Sequence, residues 1–363
     1  MPRKPGGYAL AVLMLAHIVL PVAAQALSKG KSDLRVMNYN INEGTDFSEI
    51  AQATNQQEFL IAVGQTITQV RATNPPQRMQ AVATQILAVA PTLVSVEEVD
   101  QWYTGPFDPS TQTCGSTTLE FDMLPELLHS LAVQGGHYQV AVQALQYAYP
   151  PTPGTDPAQH LDLRAGGQLQ RDPGENGPRP RDLPVEQSTV RALRLHSLSQ
   201  QSYWRHTGAE SLGVGRRAVQ QPGFCFIGTD LDATDANVRA LQAGELRSGP
   251  ANTALPVIIA MDANAQAAPL PQDAACLDFL AAGYNDAWSD LFSNVSGFTC
   301  CQTELDNNPV SELFTRIDLI LTHGPVEVQN IALFGADAAS KTADGLWPSD
   351  HAGIAAQVSI EKE

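Results

Sequence analysis

Apolar and polar residues alternate from Leu34 to Ile41 (Leu-Arg-Val-Met-Asn-Tyr-Asn-Ile), the period of a half-buried strand. Residues 46 to 90 change to a helical period, interrupted at Asn74-Pro75-Pro76. Between Arg78 and Ala90 the apolar positions Met79, Val82, Ile86, Leu87 and Val89 predict one helix packed along a stripe, and Pro91 ends it. A short apolar strand is predicted from Thr92 to Val99, a helix from Phe121 to Leu131 and a strand from Tyr138 to Ala148. Further on, strands are predicted at Phe224–Gly228, Leu255–Met261, Arg316–Thr322 and Gly353–Ile360, with helices at Asp235–Arg247 and Leu277–Ala282. Strands alternating with helices and ending in polar residues predict a layered α/β domain.

Residues 155 to 222 break this pattern. They hold 9 of the 16 arginines, are dense in Gln, Gly and Pro, and show almost no strand or helix period. A structureless insert of this length is foreign to a compact domain, so the segment is expected to be disordered or to be read out of frame. Shifted by one base, the codons of Ala209 through Pro222 can read QRAWVSVDAQFNNR, which alternates like a strand; those of Leu161 through Pro180 can read LICAQVVNYNAILARTDLDP. The coding DNA decides between the two.

The N-terminus changes the picture of where the chain resides. Arg3 and Lys4 precede an apolar run from Tyr8 to Leu20, followed by Pro21-Val22-Ala23-Ala24-Gln25-Ala26. A basic start, a short apolar run and a small-x-small end predict a secretory signal peptide over residues 1–26, cut after Ala26; an uncleaved anchor is the alternative. The product is expected to be secreted or periplasmic and monomeric, with no stable protein partner. Export permits disulfides, and the five cysteines, Cys114, Cys225, Cys276, Cys300 and Cys301, leave at least one thiol unpaired. No Cys/His spacing resembles a zinc site, and the adjacent Cys300 and Cys301 are read as structural. The net charge of −17 weakens non-specific attraction to nucleic acid, although a bound divalent cation supplies local positive charge.

Candidate chemistry sits at strand ends: Asn40, Glu97-Glu98, Asp262 with Asn264, Asp318, and Asp350-His351. Converging strand ends can assemble one site from distant positions. Carboxylates and amides with one imidazole favour a hard cation such as Mg²⁺, and a histidine beside an acid suits proton transfer or phosphate contact.

The motifs in order resemble the endonuclease/exonuclease/phosphatase superfamily, which includes deoxyribonuclease I-like enzymes, sphingomyelinases and inositol-phosphate phosphatases. Met37-Asn38-Tyr39-Asn40 resembles its Thr-Tyr-Asn motif and Val96-Glu97-Glu98-Val99 its Leu-Gln-Glu-Val motif. Met261-Asp262-Ala263-Asn264 resembles Gly-Asp-Phe-Asn, Arg316-Ile317-Asp318 resembles Arg-Ile-Asp-Tyr, and Ser349-Asp350-His351 matches outright. The resemblance covers residues 34 to 150 and 223 to 358. It implies a four-layer sandwich: two packed, mostly antiparallel β-sheets flanked by helices. It implies a divalent-metal-dependent phosphoesterase, using Mg²⁺ (or Mn²⁺ or Ca²⁺), whose substrate is a small molecule, a lipid head group or a nucleic acid. Glu98 would hold the metal with Asn40 and Asp350 near it. Asp262 would orient or deprotonate the attacking water, Asn264 would contact the phosphate, and His351 would bind or protonate it with Asp318 fixing its ring.

Two departures bear on that expectation. Gly228-Thr229-Asp230-Leu231 stands where Thr-His-Leu is usual, so Asp230 replaces a phosphate-contacting histidine, and Glu97 replaces a glutamine. A carboxylate at 230 would repel a phosphate unless a cation intervenes, and Glu97 adds another negative charge beside the expected metal ligand. A catalytically impaired homologue is therefore the alternative reading.

Overall fold

The structure, a computed structural model, describes residues 31–108, 113–114, 116–148, 162–171, 201–206 and 223–361. The predicted signal peptide lies outside these residues, as does most of the 155–222 segment. Among the described residues, no helix is long and apolar enough to cross a membrane.

In chain order the elements are β1 (Lys31–Asn40), α1 (Ser48–Gln52), α2 (Gln56–Ala72), α3 (Pro75–Val89), β2 (Leu93–Thr104), the short pair β3 (Phe107–Asp108) and β4 (Thr113–Cys114), β5 (Thr118–Asp122), α4 (Met123–Val133) and β6 (Tyr138–Ala148). They continue with β7 (Asp162–Arg171), β8 (Gln201–His206), β9 (Phe224–Asp230), α5 (Ala236–Ser248), β10 (Val257–Asp262), α6 (Ala274–Ala281), β11 (Asn285–Asp286), α7 (Ala287–Leu291), β12 (Asp318–His323), β13 (Val326–Phe334) and β14 (Gly353–Glu361). One sheet runs β13-β14-β1-β2-β7-β6, with β5 also paired to β2; the second runs β11-β12-β10-β9-β8. Among the described strands only β1–β2 and β9–β10 pair in parallel. Both need a crossover, which α2 and α3 supply for the first and α5 for the second.

Side-chain alternation along the strands builds the layers. Leu34, Val36, Ile354, Ala356, Val358 and Ile360 of the first sheet meet Phe224, Phe226, Ile258, Ala260 and Ile320 of the second. The alternate residues face outward. Met37, Tyr39, Val94 and Val96 pack against Met79, Val82 and Ile86 of α3 and Leu127 and Leu131 of α4. Cys225, Ile227, Ile259 and Met261 pack against Ala243 and Leu246 of α5 and Phe279 of α6. The result is helix–sheet–sheet–helix, the four-layer sandwich expected from the motifs. Each large apolar side chain so buried contributes roughly 1.5–3 kcal/mol.

The structure departs from the sequence reading in four places. Leu119 and Phe121 belong to β5, paired antiparallel to β2, and the helix starts at Met123. The strand read as Thr92–Val99 runs on to Thr104, because β5 and β7 both pair with its far end. Strand β13 was not anticipated; a register shift between Val328 and Asn330 breaks the alternation that would announce it. Finally, β7 and β8 fall inside the segment read as lacking any element. Their backbones occupy the slots beside β2 and β6 and beside β9. Sheet edges left open there would carry unpaired N–H and C=O groups, and backbone pairing does not require an apolar period.

Candidate active site

The inward-facing alternation continues past the last apolar residue of each central strand and turns polar. Asn38 and Asn40 on β1, Ser95 and Glu97 on β2, Asp230 on β9, Asp262 on β10 and Asp318 at the start of β12 all follow the inter-sheet face. Register aligns them: Asp262 lies opposite Asp230 on one side and Asp318 on the other, and in the facing sheet Asn40 lies opposite Glu97. Three carboxylates thus share one row across adjacent strands.

Glu98 reaches the site by a different device. In a regular strand it would point to the helices, opposite to Glu97. Between Val96 and Val99, however, two residues of β2 stand against one of β7, and Glu98 has φ 56°. This bulge turns its carboxylate back. There Glu98 Oε1 accepts from Asn40 Nδ2 at 2.8 Å and Oε2 accepts from the Glu43 backbone N–H at 3.1 Å. Asn40 Nδ2 also donates to Asp262 Oδ2 at 3.0 Å, while its Oδ1 accepts the Asn42 N–H. Asn40 therefore acts first to hold Glu98 and Asp262 in mutual register.

Asp262 is the hub. It lies 3.8 Å from His351 Nδ1, and its Oδ1 accepts the Asn264 N–H at 2.8 Å. His351 Nδ1 bonds Asp318 Oδ2 at 2.8 Å, and Asp318 Oδ1 accepts from Asn38 Nδ2 at 3.3 Å. Ligand atoms of Asp262, Asp318 and His351 lie within 4.8 Å of one another. Ser349 Oγ donates to the Asn40 carbonyl at 2.8 Å and accepts the His351 N–H, so this loop is stitched to the end of β1. Asp350 and Glu98 remain half-buried at the mouth, whereas Asn40, Asp262, Asp318 and His351 are buried.

Electrostatics follow from that crowding. Burial raises the Asp262 pKa well above the usual carboxylate range, and Asp318 and Asp230 add to it against the opposing pull of His351. Glu97 is raised in the same sense by burial, then by Asp318, Asp230 and Asp262, with the Ser95 hydroxyl bond opposing. For His351, burial alone would disfavour the imidazolium, but Asp318, Asp350 and Asp262 outweigh it and hold the pKa well above its ordinary value. The pocket is short of positive charge. Two buried acceptors, Glu97 Oε2 and Asn38 Oδ1, have no hydrogen-bond partner. An all-oxygen set of Glu98, Asp350 and the Asn40 amide is the donor chemistry of a hard divalent cation, so the residues fit such an ion.

Asn264, expected to contact the phosphate, is held by bonds within the site. Its Nδ2 donates to Asp230 Oδ1 at 2.9 Å and to the Leu231 carbonyl at 3.0 Å, so both amide protons are engaged.

Several residues that hold this arrangement were not singled out in the sequence. Arg78 is fully buried and donates to the carbonyls of Thr73, Ile41, Asn42 and Pro348, with Asp306 at 3.6 Å. It ties α3 to the loop after Asn40 and to the loop before Asp350. Asn42 Nδ2 donates to Asp306 Oδ2 at 3.1 Å. Arg316 pairs with Asp286 and with the Ala268 carbonyl, which makes it a brace for the loop after β10. Thr299 Oγ1 accepts the backbone N–H groups of Ile317 and Asp318. An arginine within an apolar helical stripe was the available signal for Arg78; Thr299 left none.

Cys300 and Cys301 are joined by a disulfide, and Cys225 and Cys276 are buried.

No family profile matches the chain, and no curated protein matches it. Solved structures do match in shape. An endonuclease/exonuclease/phosphatase family protein from Bacteroides thetaiotaomicron aligns with 92% of this chain and 99% of its own, at 13% identity and a TM-score of 0.52. A mannosyl-6-phosphatase from the same species aligns with 90% of this chain and 99% of its own (13% identity, TM-score 0.48). D. rerio TDP2, solved with a single-strand DNA product, aligns to the same extents at 15% identity and a TM-score of 0.48. The first likeness establishes that the chain has the endonuclease/exonuclease/phosphatase fold.

Proposed function

We propose that this protein is an exported, divalent-metal-dependent phosphoesterase that cleaves a phosphodiester or phosphomonoester by in-line attack of water. The observation that carries the reading is the position of Asp262, bonded to Asn40 on the Glu98 side and 3.8 Å from His351 on the other. One carboxylate thus links a hard-cation donor set to an acid–imidazole pair. That is the layout needed to generate a nucleophile and to offset charge building on phosphorus.

Glu98 and Asp350, with the Asn40 amide behind them, would hold the cation, which supplies Lewis-acid stabilisation of the phosphoryl oxygens. Asp262, its pKa raised by burial and by neighbouring carboxylates, is suited to take a proton from water. Asp318 fixes the ring of His351 through Nδ1. That leaves Nε2 to contact or protonate a phosphate oxygen.

Hydrolysis of bis-p-nitrophenyl phosphate with Mg²⁺ tests the proposal. Activity abolished by EDTA and by His351→Ala is expected. Activity that survives both would sink it. The second reading, a catalytically impaired homologue, is favoured by the engagement of both Asn264 amide protons by Asp230 and Leu231. Absence of turnover in the native sequence, with turnover in Asp230→His, would support that reading.

The net charge of −17 opposes long-range attraction of a polyanion. A small phosphoester is therefore favoured over duplex DNA, and a weak salt dependence of kcat/KM is the corresponding observation.

A further inference from the structure

The cysteine pair stands directly against the proposed catalytic histidine. Cys300 forms an antiparallel bridge with His351 on one side and with Thr315 on the other. Around it, the Ala352 N–H donates to the Thr299 carbonyl at 2.7 Å and the Gln302 N–H to the Asp350 carbonyl at 2.8 Å. Residues directly opposite in such a bridge project to the same face, with Cβ atoms about 4.5–5.5 Å apart. The consequence is a three-membered group. The sulfurs of Cys300 and Cys301 and a ring nitrogen of His351 all lie within 4.8 Å of one another. Cys300 and His351 are buried and Cys301 is half-buried, so the group opens to solvent at one residue.

We infer that, once their disulfide is reduced, Cys300 and Cys301 form with His351 a site for a thiophilic divalent cation such as Zn²⁺. Two thiolates and an imidazole are a soft donor set, chemically opposite to the all-oxygen set around Glu98. Tetrahedral zinc, with Zn–S of about 2.3 Å and Zn–N of about 2.0 Å, places ligand atoms roughly 3.5–3.8 Å apart. The sulfur–nitrogen separations, bounded by 4.8 Å, reach that by closing about an ångström or less, and the two sulfurs, about 2.05 Å apart when bonded, reach it by opening roughly 1.5–1.8 Å once the bond is reduced.

The chemistry balances. A dithiol reductant delivers two electrons and two protons to the S–S bond, giving two thiols and its own cyclic disulfide. Zn²⁺ displaces both thiol protons to water. With Asp318 accepting from Nδ1 of His351, the lone pair of Nε2 serves as the third ligand, and water fills the fourth position. In the oxidised pair neither sulfur carries a thiolate, so the disulfide keeps the ion out and His351 free. The expected loss of activity rests on the phosphoesterase reading; the metal site itself does not.

The test uses the full chain, oxidised or reduced with dithiothreitol and then freed of it without air. Cobalt(II) is titrated in as a spectroscopic stand-in for zinc, with Mg²⁺ in excess for the oxygen site. Reduced protein should take up a single equivalent with a thiolate-to-cobalt charge-transfer band, and oxidised protein should show none. The band should vanish in Cys301→Ser, which alters only the half-buried member and so spares the core. It should persist when Cys225 and Cys276 are both changed to Ser; burial pushes the Cys276 thiol up to about 12, far from thiolate formation at neutral pH. His351→Ala, which removes a ligand outright, should weaken cobalt by at least the roughly 10–100-fold that loss of a group merely supporting a ligand costs. Equimolar Zn²⁺ should then lower phosphodiester hydrolysis by reduced protein about tenfold or more, without touching the oxidised form. The absence of a band in reduced protein, or a band that survives Cys301→Ser, overturns the inference. So does cobalt or zinc binding undiminished by His351→Ala, because it removes His351 from the ligand set. A normal band in a protein with no hydrolysis in any state supports the metal site while the phosphoesterase reading fails.

Discussion

The two flanks of the site are built on opposite electrostatic terms. At the His351 flank every carboxylate meets a group of complementary character: Asp318 meets the imidazole and Asn38, and Asp262 meets Asn40 and the Asn264 N–H. At the Asp230 flank acid faces acid: Asp318, Asp230 and Asp262 add to the burial that raises the Glu97 pKa, and Asp318 and Asp230 add to the burial that raises that of Asp262. The first flank is organised without any ligand. The second is destabilised until something positive arrives, or until its carboxyls hold protons. If the contrast is functional, damage to the first flank should abolish activity, and relief of the second should improve stability or rate.

The largest effect is expected at His351. His351→Ala removes the proton donor or phosphate contact and should lower kcat by about 10²–10⁴-fold while leaving Mg²⁺ affinity within a small factor. Asp318→Asn, which keeps the shape but loses the charge that orients the ring, should follow in the same direction. A drop smaller than tenfold for His351→Ala would mean that the ordered flank is only scaffold.

Next comes the brace behind the metal-side residues. Arg78→Met leaves Asp306 buried without its cation and strands the carbonyls of Thr73, Ile41, Asn42 and Pro348. Removing one partner of a buried pair costs about 3–5 kcal/mol. Arg71, paired with Glu120 at the half-exposed surface, gives the contrast: Arg71→Met should cost about 0–1 kcal/mol. Urea unfolding of the two variants checks the ordering. Arg78→Lys should keep the fold yet weaken Mg²⁺ binding, since one ammonium cannot span four carbonyls; a variant with unaltered Mg²⁺ affinity would reduce Arg78 to a stabilising role.

The same contrast explains what could be read from the chain. Alternation showed β1 and apolar runs showed β9, β10, β12 and β14, because a strand buried on both faces needs apolar residues to its end, and the first polar inward residue then marks the rim. Asn40, Asp262 and Asp318 were legible in that way. Glu98 was legible as a strand-end acid, but its role came through resemblance alone: its strand position points to the helices, and the bulge opposite Gly166 that redirects it leaves no mark in the residue pattern. β13 was hidden by its own register shift, and β7 and β8 by a composition with no period at all. Arg78 and Asp306 were hidden for a further reason. Their partners are mainly backbone carbonyls and one another, 228 residues apart in sequence, and no local spacing encodes such a pair.

Asp230 allows a smaller and directional test. Replacing it with histidine removes a carboxylate from the phosphate's path and releases an Asn264 amide proton from Asp230 Oδ1. The expected gain is about tenfold in kcat/KM, equivalent to ~1.4 kcal/mol of transition-state stabilisation. Asp230→Asn should give part of it. A fall in rate would mean that the acid serves the reaction, and the contrast between the flanks would have to be redrawn.

Glu97→Gln is the mildest probe and isolates the strain of acid facing acid. The raised pKa of Glu97, caused first by burial and then by Asp318, Asp230 and Asp262 against the Ser95 bond, means that the folded state holds the proton more tightly than the unfolded chain does. Its contribution to stability is therefore complete below the unfolded pKa of about 4.3 and is lost as pH rises through the higher folded value. Glutamine carries no such loss. With EDTA present, Glu97→Gln should match the native chain at low pH and become more stable by about 1 kcal/mol or more as pH rises, since each tenfold difference in proton affinity between folded and unfolded chain is worth ~1.4 kcal/mol. Saturating Mg²⁺ should shrink the gap, because a cation at the mouth lowers the potential that Glu97 feels. A gap indifferent to both pH and Mg²⁺ would show that Glu97 is held by packing alone, and the charge contrast would then rest on Asp230.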